Sequence, residues 1–271
     1  LSNDKVMQVY GFSAGIGTRL KWPDNYFVLY NGLNWQIYDL KNWISGYFMF
    51  NDGRSHNLSY TVSLSRNSTD QMIYPRMGSN FSASLQLTPP YSLFRKKDLG
   101  NLDAGGNPVR VSSYKDINYD KWASADRYKW IEYHKWKVSG ELYTKVIGDF
   151  VIMTRAQFGY LGYYNRRWGY SPFEGFRVGG DGMSGYDTYG ADVIALRGYE
   201  NYSLTPWDVT PYNSNGYYAG NVYDKFTMEF RYPVILQPQS TIFVLGFLEG
   251  GNCWSDIKKF NPFQIKRSAG V

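Results

Sequence analysis

Apolar and polar residues alternate along much of this chain, and the polar side of the alternation carries charges. In Tyr133–Val146 the apolar positions are Trp136, Val138, Leu142 and Val146, and the positions between them include Lys135, Lys137, Ser139, Glu141 and Lys145. A helix would scatter these apolar groups around its circumference, whereas a strand collects them on one face. A row of charged side chains cannot lie in a dry core, so the other face must meet water. This pattern favours a membrane β-barrel strand, between lipid and a wet lumen, over a soluble sandwich strand.

The same period of two recurs in Asn57–Arg66, Ser79–Thr88 and Lys225–Tyr232. The whole pattern predicts nine strands, at about 6–21, 27–40, 56–66, 78–89, 132–147, 149–163, 221–234, 240–252 and 266 onward. We therefore predict an all-β fold, a transmembrane antiparallel β-barrel with long extracellular loops.

The links between these strands alternate between short and long, as they do in outer-membrane barrels. The short links are Trp22–Tyr26, Ile147–Asp149 and Pro233–Ser240, and the somewhat longer 67–77 falls in the same series. The long links are about 41–55, 90–131, 164–220 and 253–265. Short turns face the periplasm in such barrels, so we expect the long links outside the cell.

Nine strands do not close a bacterial barrel, because such barrels have an even number and an open edge in lipid leaves backbone groups unpaired. The chain begins at Leu1 without a Met or a signal-peptide pattern, and Arg267–Val271 reads as the opening of another strand. We therefore interpret residues 1–271 as the central and later strands of one outer-membrane barrel domain, with strands missing at both ends.

The composition agrees with strands that face both lipid and water. Aromatic residues make up 19% of the chain, yet the mean hydropathy is −0.45, and no apolar run reaches the roughly 18 residues of a transmembrane helix. The net charge of +6 is spread along the chain, so it fits either a surface that faces lipopolysaccharide or ordinary solvated loops. We expect no nucleic-acid partner.

The residues that usually carry catalysis are scarce. The single Cys253 excludes an internal disulfide framework, and its predicted place just past a strand end favours a small filler residue over a nucleophile. His56 and His134 lie far from any nucleophile-like turn, and His134 falls on the predicted lipid face. We expect neither an enzyme nor a cofactor.

Two further motifs lie in the longest loop and are weak. Gly180–Gly185 matches GxGxxG but lacks the flanking strand and helix that cradle a pyrophosphate. Asp181 and Asp187 offer oxygen ligands for Ca²⁺, but their spacing is not that of an EF-hand.

The loop 164–220 is too long for a simple connector, and loops of this length are usually functional or disordered. It contains Arg197, and two acids could meet it: Glu229 on the predicted lumen face of the next strand, and Glu249 in the strand after that. Two carboxylates around one guanidinium would form charge-assisted hydrogen bonds and pin the loop inside the barrel. From the residues alone, three solvated charges in a wet lumen remain the alternative.

The strand at 240–252 presents a conflict. If Glu249 faces inward, then Phe243 and Phe247 do so too, and that face is not polar. An apolar patch on the lumen side would pack against an inserted loop.

Six short motifs occur in one order along the chain. They are Tyr74-Pro75-Arg-Met-Gly78, Phe176-Arg-Val-Gly179-Gly180, Leu196-Arg197-Gly198-Tyr199, Thr227–Pro233 with Glu229, Gly246–Trp254 with Glu249, and Arg267–Val271. In this order the chain resembles the BamA family of outer-membrane assembly proteins, which includes TamA-like and two-partner secretion members. Leu196–Tyr199 is similar to the family's (V/L)RG(F/Y) signature, with Leu in place of Val, and the aromatic loops are similar to those of Bacteroidetes members.

The resemblance implies that the signature loop folds into the lumen and that Arg197 meets Glu229 and Glu249. It also implies structural roles for Tyr74, Pro75 and Gly78 in a turn and for Gly179 and Gly180 before the signature. The resemblance gives no counterpart for the stretch 90–131.

For function, the resemblance implies an insertase that folds barrel proteins into the outer membrane. Its expected partners are outer-membrane lipid and lipopolysaccharide, nascent outer-membrane proteins and accessory lipoproteins. The family's periplasmic POTRA domains and its first and last strands are not present in this chain. The alternatives are a related member that exports a partner protein or lipid, or a plain porin-type channel.

Overall fold

The computed structural model describes residues 5–43, 52–182, 190–210, 213–237 and 239–271. Nine of the described strands form one sheet: β1 (Val6–Arg19), β2 (Phe27–Lys41), β3 (Gly53–Asn67), β4 (Gly78–Leu87), β7 (His134–Lys145), β8 (Val151–Gly162), β13 (Val222–Gln237), β14 (Ser240–Trp254) and β15 (Lys266–Gly270). Six short strands lie in the loops: β5 (Lys97–Leu102), β6 (Pro108–Arg110), β9 (Gly175–Val178), β10 (Ala191–Ile194), β11 (Trp207–Thr210) and β12 (Asn213–Tyr218).

All nine predicted strands are confirmed, and they pair in chain order. The sheet runs β1-β2-β3-β4-β7-β8-β13-β14-β15, and every neighbouring pair is antiparallel. The sheet is not closed, since β1 and β15 form its two edges. This architecture is part of an antiparallel barrel wall, as the alternation predicts.

The register sorts the alternating side chains onto two faces. Trp136, Val138 and Leu142 on β7 are exposed on the outward face, whereas Lys135 on the same strand is buried on the inward face. On β14 and β13 the inward positions include Glu249 and Glu229, which are both buried. Within the described residues, no helix has the length and apolar composition of a membrane span.

Two boundaries differ from the prediction. The link expected at 233–240 is wrong, because β13 continues through Pro233 to Gln237 with a register shift between Pro233 and Ile235. A proline lacks the N–H of a ladder, and a bulge tolerates that loss. Cys253 also lies inside β14 rather than beyond its end, and it is buried on the inward side.

The long link 90–131, here called the cap segment, folds into a compact structure of its own. It holds β5 and β6, two short helices and two 3₁₀ turns: α1 (Tyr91–Phe94), α2 (Ser124–Arg127), Tyr114–Asp116 and Tyr119–Lys121. Its buried residues Ile117, Tyr119 and Trp122 pack against Trp168 of the following long loop. The cap segment therefore rests on the loop 164–220.

The largest core lies between the sheet and the long loops. It joins Tyr38 of β2 and Tyr223 of β13 to Ile131 at the end of the cap segment and to Phe173 and Phe176 of the loop 164–220. Strands from opposite ends of the sheet meet in one apolar cluster, so the sheet curves around this loop. The loop 164–220 is called the inserted loop below.

Candidate functional site

Arg197 of the inserted loop lies between two carboxylates of the barrel wall. Its Nη2 donates hydrogen bonds to Glu229 Oε1 at 2.7 Å and to Glu249 Oε1 at 2.8 Å. Its backbone N–H donates to Glu249 Oε2 at 2.9 Å. The structure thus brings together the three residues that the sequence pointed to, and the group is called the Arg197 anchor.

The two acids meet because of the register between β13 and β14. Thr227 lies opposite Glu249, so Glu229 and Glu249 project inward as diagonal neighbours on adjacent strands. Like charges so close need cations to compensate them. Arg231 donates to Glu229 Oε2 at 2.6 Å, and Lys225 Nζ lies 3.2 Å from Glu249 Oε1. Each acid therefore has a wall cation in addition to Arg197.

Lys225 is a member of this site that the sequence analysis did not single out. Its Nζ donates to the carbonyl of Ala195 at 2.6 Å, one residue before Leu196 of the signature. It is buried and lies on the same inward face as Glu229, four positions earlier. That shared face was the available signal, but the alternation alone does not say which inward cations touch the loop.

The inward apolar patch of β14 has two uses in the structure. Phe247 lies beneath the Arg197 guanidinium, with 3.8 Å from Cζ to the ring centroid, which is cation–π geometry. Phe243 packs against Tyr74, with ring centroids 5.3 Å apart. The expected packing of an inserted loop on this face is therefore observed at Phe247.

The rest of the signature fits closely to the wall. Leu196 is fully buried, and its N–H donates to the carbonyl of Gly180 at 3.0 Å. Gly198 has φ +85°, and a Cβ there would lie 3.2 Å from Ser268 Cβ on β15. Tyr199 Oη donates to the carbonyl of Arg267 at 2.9 Å. The signature thus reaches across from β13 to β15.

Gly179 and Gly180 allow the inserted loop to fold back on itself. Both have positive φ, +121° and +93°, which an L side chain rarely adopts. A Cβ on Gly179 would lie 2.5 Å from the carbonyl oxygen of Glu200, and one on Gly180 would collide with Asn201. These glycines let the 175–180 segment pack directly against the turn that follows the signature.

A second ionic attachment holds the inserted loop to β7. Lys135 Nζ lies 2.8 Å from Glu174 Oε2 and 3.3 Å from Asp192 Oδ2, and it donates to the carbonyl of Gly190 at 3.0 Å. The Lys135 and Glu174 side chains are only 3% and 4% exposed. The prediction that Lys135 lines a water-filled lumen is therefore wrong, because the inserted loop covers it. This group is called the Lys135 anchor.

Neutral groups complete the second anchor. Tyr133 Oη donates to Glu174 Oε1 at 3.1 Å, and Asn57 Nδ2 approaches the same oxygen at 3.4 Å. The Lys135 ammonium lies 5.2 Å from the ring centroid of Phe176. Nothing in the spacing of Glu174 within the sequence indicates this pairing, so only the fold reveals it.

The turn between β3 and β4 contacts the β7–β8 turn and β13 through hydrogen bonds. Tyr74 and Pro75 are buried, and Tyr74 Oη lies 3.1 Å from the carbonyl oxygens of both Asp149 and Arg231. Gly78 has φ +107°, and a Cβ there would strike the carbonyl of Ser68. The turn therefore reaches from β4 to β13, where Arg231 also pairs with Glu229.

Two buried carboxylates, Asp98 in the cap segment and Glu132 directly after it, have pKa values that move in opposite directions. Burial alone would raise the pKa of Asp98, but hydrogen bonds from the Asn118 N–H, the Trp122 indole and the Gly100 N–H outweigh it and lower the pKa. Burial raises the pKa of Glu132, although Ser92 donates two hydrogen bonds to it. These bonds hold the cap segment's own fold together.

The remaining sequence candidates do not assemble into a reactive site. His134 accepts a hydrogen bond from Trp136 on the outward face, and Cys253 packs in the core beside Phe176. The GxGxxG match extends into 183–185, and Asp187 also lies outside the described residues. In the part of the chain that the structure describes, no group of three His, Cys, Asp or Glu residues could hold a metal ion.

Comparisons with known proteins agree with this architecture. The sequence model of the Omp85 superfamily domain matches residues 3–271. The structure is similar to the crystal structure of BamA from Haemophilus ducreyi lacking POTRA domains 1–3, with a TM-score of 0.62 and 18% identity. That match covers 99% of this chain and 48% of the other, so this chain spans about half of its length. No curated protein sequence matches the chain.

Proposed function

Because this chain belongs to the Omp85 superfamily, we propose that it forms the wall and the inserted loop of a protein that folds and inserts other β-barrel proteins into the bacterial outer membrane. Its substrates in this proposal are nascent outer-membrane proteins, and accessory lipoproteins and lipopolysaccharide are its further partners. The proposal deepens the family assignment, which by itself covers both insertion and transport across the outer membrane.

The Arg197 anchor is the observation that carries the proposal. Three hydrogen bonds from one arginine fasten the inserted loop to two adjacent strands, and Lys225 adds a fourth bond through the Ala195 carbonyl. A porin needs an open aqueous lumen, whereas here the core around Phe173 and Phe176 occupies part of the space within the curved sheet. An interior occupied by a fastened loop suits a scaffold better than an open channel.

A physical mechanism for insertion follows from the needs of the backbone in lipid. An unpaired strand in a bilayer leaves its N–H and C=O groups without partners, at a high free-energy cost. A barrel wall whose edge can open offers those partners by strand addition. We assign to the anchored loop the task of keeping the wall in shape while an edge exchanges partners, and such a task needs neither ATP nor a catalytic residue.

Replacement of Arg197 by Ala in the native host tests this proposal. The variant loses the two side-chain hydrogen bonds and the contact with Phe247, and it leaves two inward acids with fewer cations, so we expect faster proteolysis of the inserted loop and a less stable barrel. We also expect lower levels of many outer-membrane proteins, which quantitative proteomics of the outer membrane measures. Normal protein levels together with a protected loop would overturn the proposal.

Arg155→Ala is the matched control. Arg155 is also inward, is 29% exposed against 31% for Arg197, and donates to Glu141 at 2.8 Å, but its partner lies on the wall and not across the loop. We expect this variant to leave outer-membrane protein levels near those of the native protein. Equal defects in both variants would mean that any lumen ion pair matters, which contradicts a special role of the inserted loop.

The same proteomic measurement separates insertion from export. Insertion predicts a fall of many integral barrel proteins of unrelated sequence in Arg197→Ala. Export of a dedicated partner predicts the loss of one secreted protein while the integral barrel proteins remain, and that result would replace the proposed function.

A further inference from the structure

The outward face of the sheet is not evenly convex. A depression of about 980 Å³ lies across β4, β7, β8, β13, β14 and β15. The side chains that line it include Phe81, Leu142, Phe226, Met228 and Leu248, which all occupy outward positions of their strands. These side chains point away from the anchors, which lie on the inward face, although Glu249 of the Arg197 anchor is also among the residues that line the depression.

Small residues form the floor of this depression. Gly140 on β7 pairs with Ala156 on β8, and a Cβ built on Gly140 would find no atom within 4 Å. Phe81 on β4 and Phe226 on β13 stand on either side of this pair in the same cross-strand row. The result is a trough whose floor of two small residues has an aromatic ring at each end along the row.

The trough slopes between the two ends of the strands. Its central row continues from Phe226 to Gly250 on β14 and then to Arg267 on β15. Arg267 is the second residue of β15, close to the outer loop, whereas Phe81 is the fourth residue of β4, close to the opposite end. Because barrel strands tilt by about 35–45°, a row perpendicular to them descends through the bilayer.

Positive charge collects at the upper end of this row. Arg267 lines the depression, projects outward and is exposed, and Lys258 and Lys259 are exposed in the 3₁₀ turn Ile257–Lys259 of the loop that leads into β15. None of the three forms an ion pair with a described residue. Asp256 is the sole acid in residues 255–267, so this end of the trough favours an anion. Phe263, also exposed in this loop, suits a membrane interface.

We propose that the trough is a binding site for an acyl chain of a phosphate-bearing lipid, with the phosphate held at Arg267 at the outer end of the row. The chain follows the row from Gly250 past the ring of Phe226 to the floor of Gly140 and Ala156, and it ends at Phe81. The apolar trough accounts for the acyl chain, its slope for the direction of the chain, and the basic loop for the charge of the headgroup.

Photo-crosslinking in vesicles tests the site. The protein is reconstituted in phosphatidylcholine vesicles that contain a trace of phosphatidylglycerol with a diazirine on one acyl chain, and labelled residues are identified by mass spectrometry. We expect labelling to concentrate on Phe81, Leu142 and Met228, several times above that of Ile16 and Leu33 on the outward face of β1 and β2. Uniform labelling of the outward face would overturn the proposal.

A large side chain on the floor of the trough should abolish the preferential labelling of its lining residues. Gly140→Leu adds bulk where there is open space, so the fold should tolerate it, as an unchanged thermal transition would verify. The matched control is Ala14→Leu, which adds the same kind of bulk on the outward face of β1. Labelling of the trough that persists in Gly140→Leu would overturn the site, as would cross-links between two copies of the protein in place of lipid.

The headgroup is tested separately from the chain. With a diazirine-labelled phosphatidylcholine for comparison, we expect the native trough to prefer phosphatidylglycerol by about fivefold, the effect of one basic residue near anionic lipid. Arg267→Gln should reduce that preference toward one while acyl labelling continues. Lys266→Gln, the inward neighbour with the same loss of charge, should leave the preference nearer to that of the native protein. The same preference in both variants and the native protein would overturn the role of Arg267.

Discussion

The inserted loop is attached to the barrel wall by two ionic anchors that differ in their contact with water. The Arg197 anchor joins the loop to β13 and β14, and the Arg197 side chain is 31% exposed. The Lys135 anchor joins it to β7, with both main partners at 4% exposure or less. Arginine offers a planar fork to two carboxylates at the wetter site, whereas a lysine is a compact charge beside the ring of Phe176 at the drier one.

The same loop is therefore attached to the wall in two physically different ways. At the Arg197 anchor the geometry of several charge-assisted hydrogen bonds matters, and water can partly replace a lost partner. At the Lys135 anchor burial matters, because a lone buried charge is costly while a compensated pair contributes little net stability. The first anchor suits adjustment during function, and the second fixes the position of the loop.

The largest expected effect comes from Lys135→Met. The change leaves Glu174 buried without its cation, so we expect a loss of about 3–5 kcal/mol in the free energy of unfolding. Urea unfolding in detergent, followed by the gel mobility of the folded barrel, measures it. The double variant Lys135→Met with Glu174→Leu should recover part of this loss, since it removes both charges.

The neighbouring Lys137 is the control for this comparison. Lys137 Nζ lies 3.1 Å from Asp192, but its side chain is 44% exposed. We expect Lys137→Met to cost less than about 1 kcal/mol, as exposed ion pairs generally do. If the two lysine variants lost equal stability, burial would not be what separates the anchors.

A smaller effect is expected when Arg197 becomes Lys. The charge remains, but a single ammonium cannot reproduce the guanidinium contacts with Glu229, Glu249 and Phe247. We expect a loss of about 1–2 kcal/mol and faster cleavage of the inserted loop by an added protease. Arg155→Lys, on the wall, should not change that cleavage. A loop as protected as that of the native protein would show that charge alone holds this anchor.

Much of the fold was predictable because membrane strands repeat every two residues. The alternation located all nine sheet strands, and its phase placed Glu229 on the inward face of β13. The Arg197 contact was reachable because alternation defines the inward face of β13 at Glu229 and because the family resemblance supplied Glu249 on β14, whose two faces are both largely apolar. Pro233 misled the prediction, because a proline usually ends a strand and here a bulge accommodates it.

The Lys135 anchor was not predictable for a physical reason. Periodicity assigns a face to a residue but does not say what covers that face. Lys135 and Lys145 follow the same pattern on β7, yet the inserted loop buries only the former. Glu174 lies 39 residues further along the chain, in a loop without a repeating pattern. The internal fold of the cap segment escaped prediction likewise, because it depends on contacts such as those of Asp98.

The smallest expected loss of stability comes from Tyr74→Phe. This variant tests whether the two anchors are energetically independent. The hydroxyl of Tyr74 contacts the carbonyl of Arg231, and Arg231 pairs with Glu229 of the Arg197 anchor. We expect a loss of about 1 kcal/mol, the usual contribution of one hydrogen bond, because the ring keeps its packing against Phe243. A double-mutant cycle with Arg197→Lys should then show coupling, whereas a cycle with Lys135→Met should be additive. Coupling to Lys135 of the same size would mean that the turn, the loop and the wall respond as one unit, so that the two anchors could not act separately.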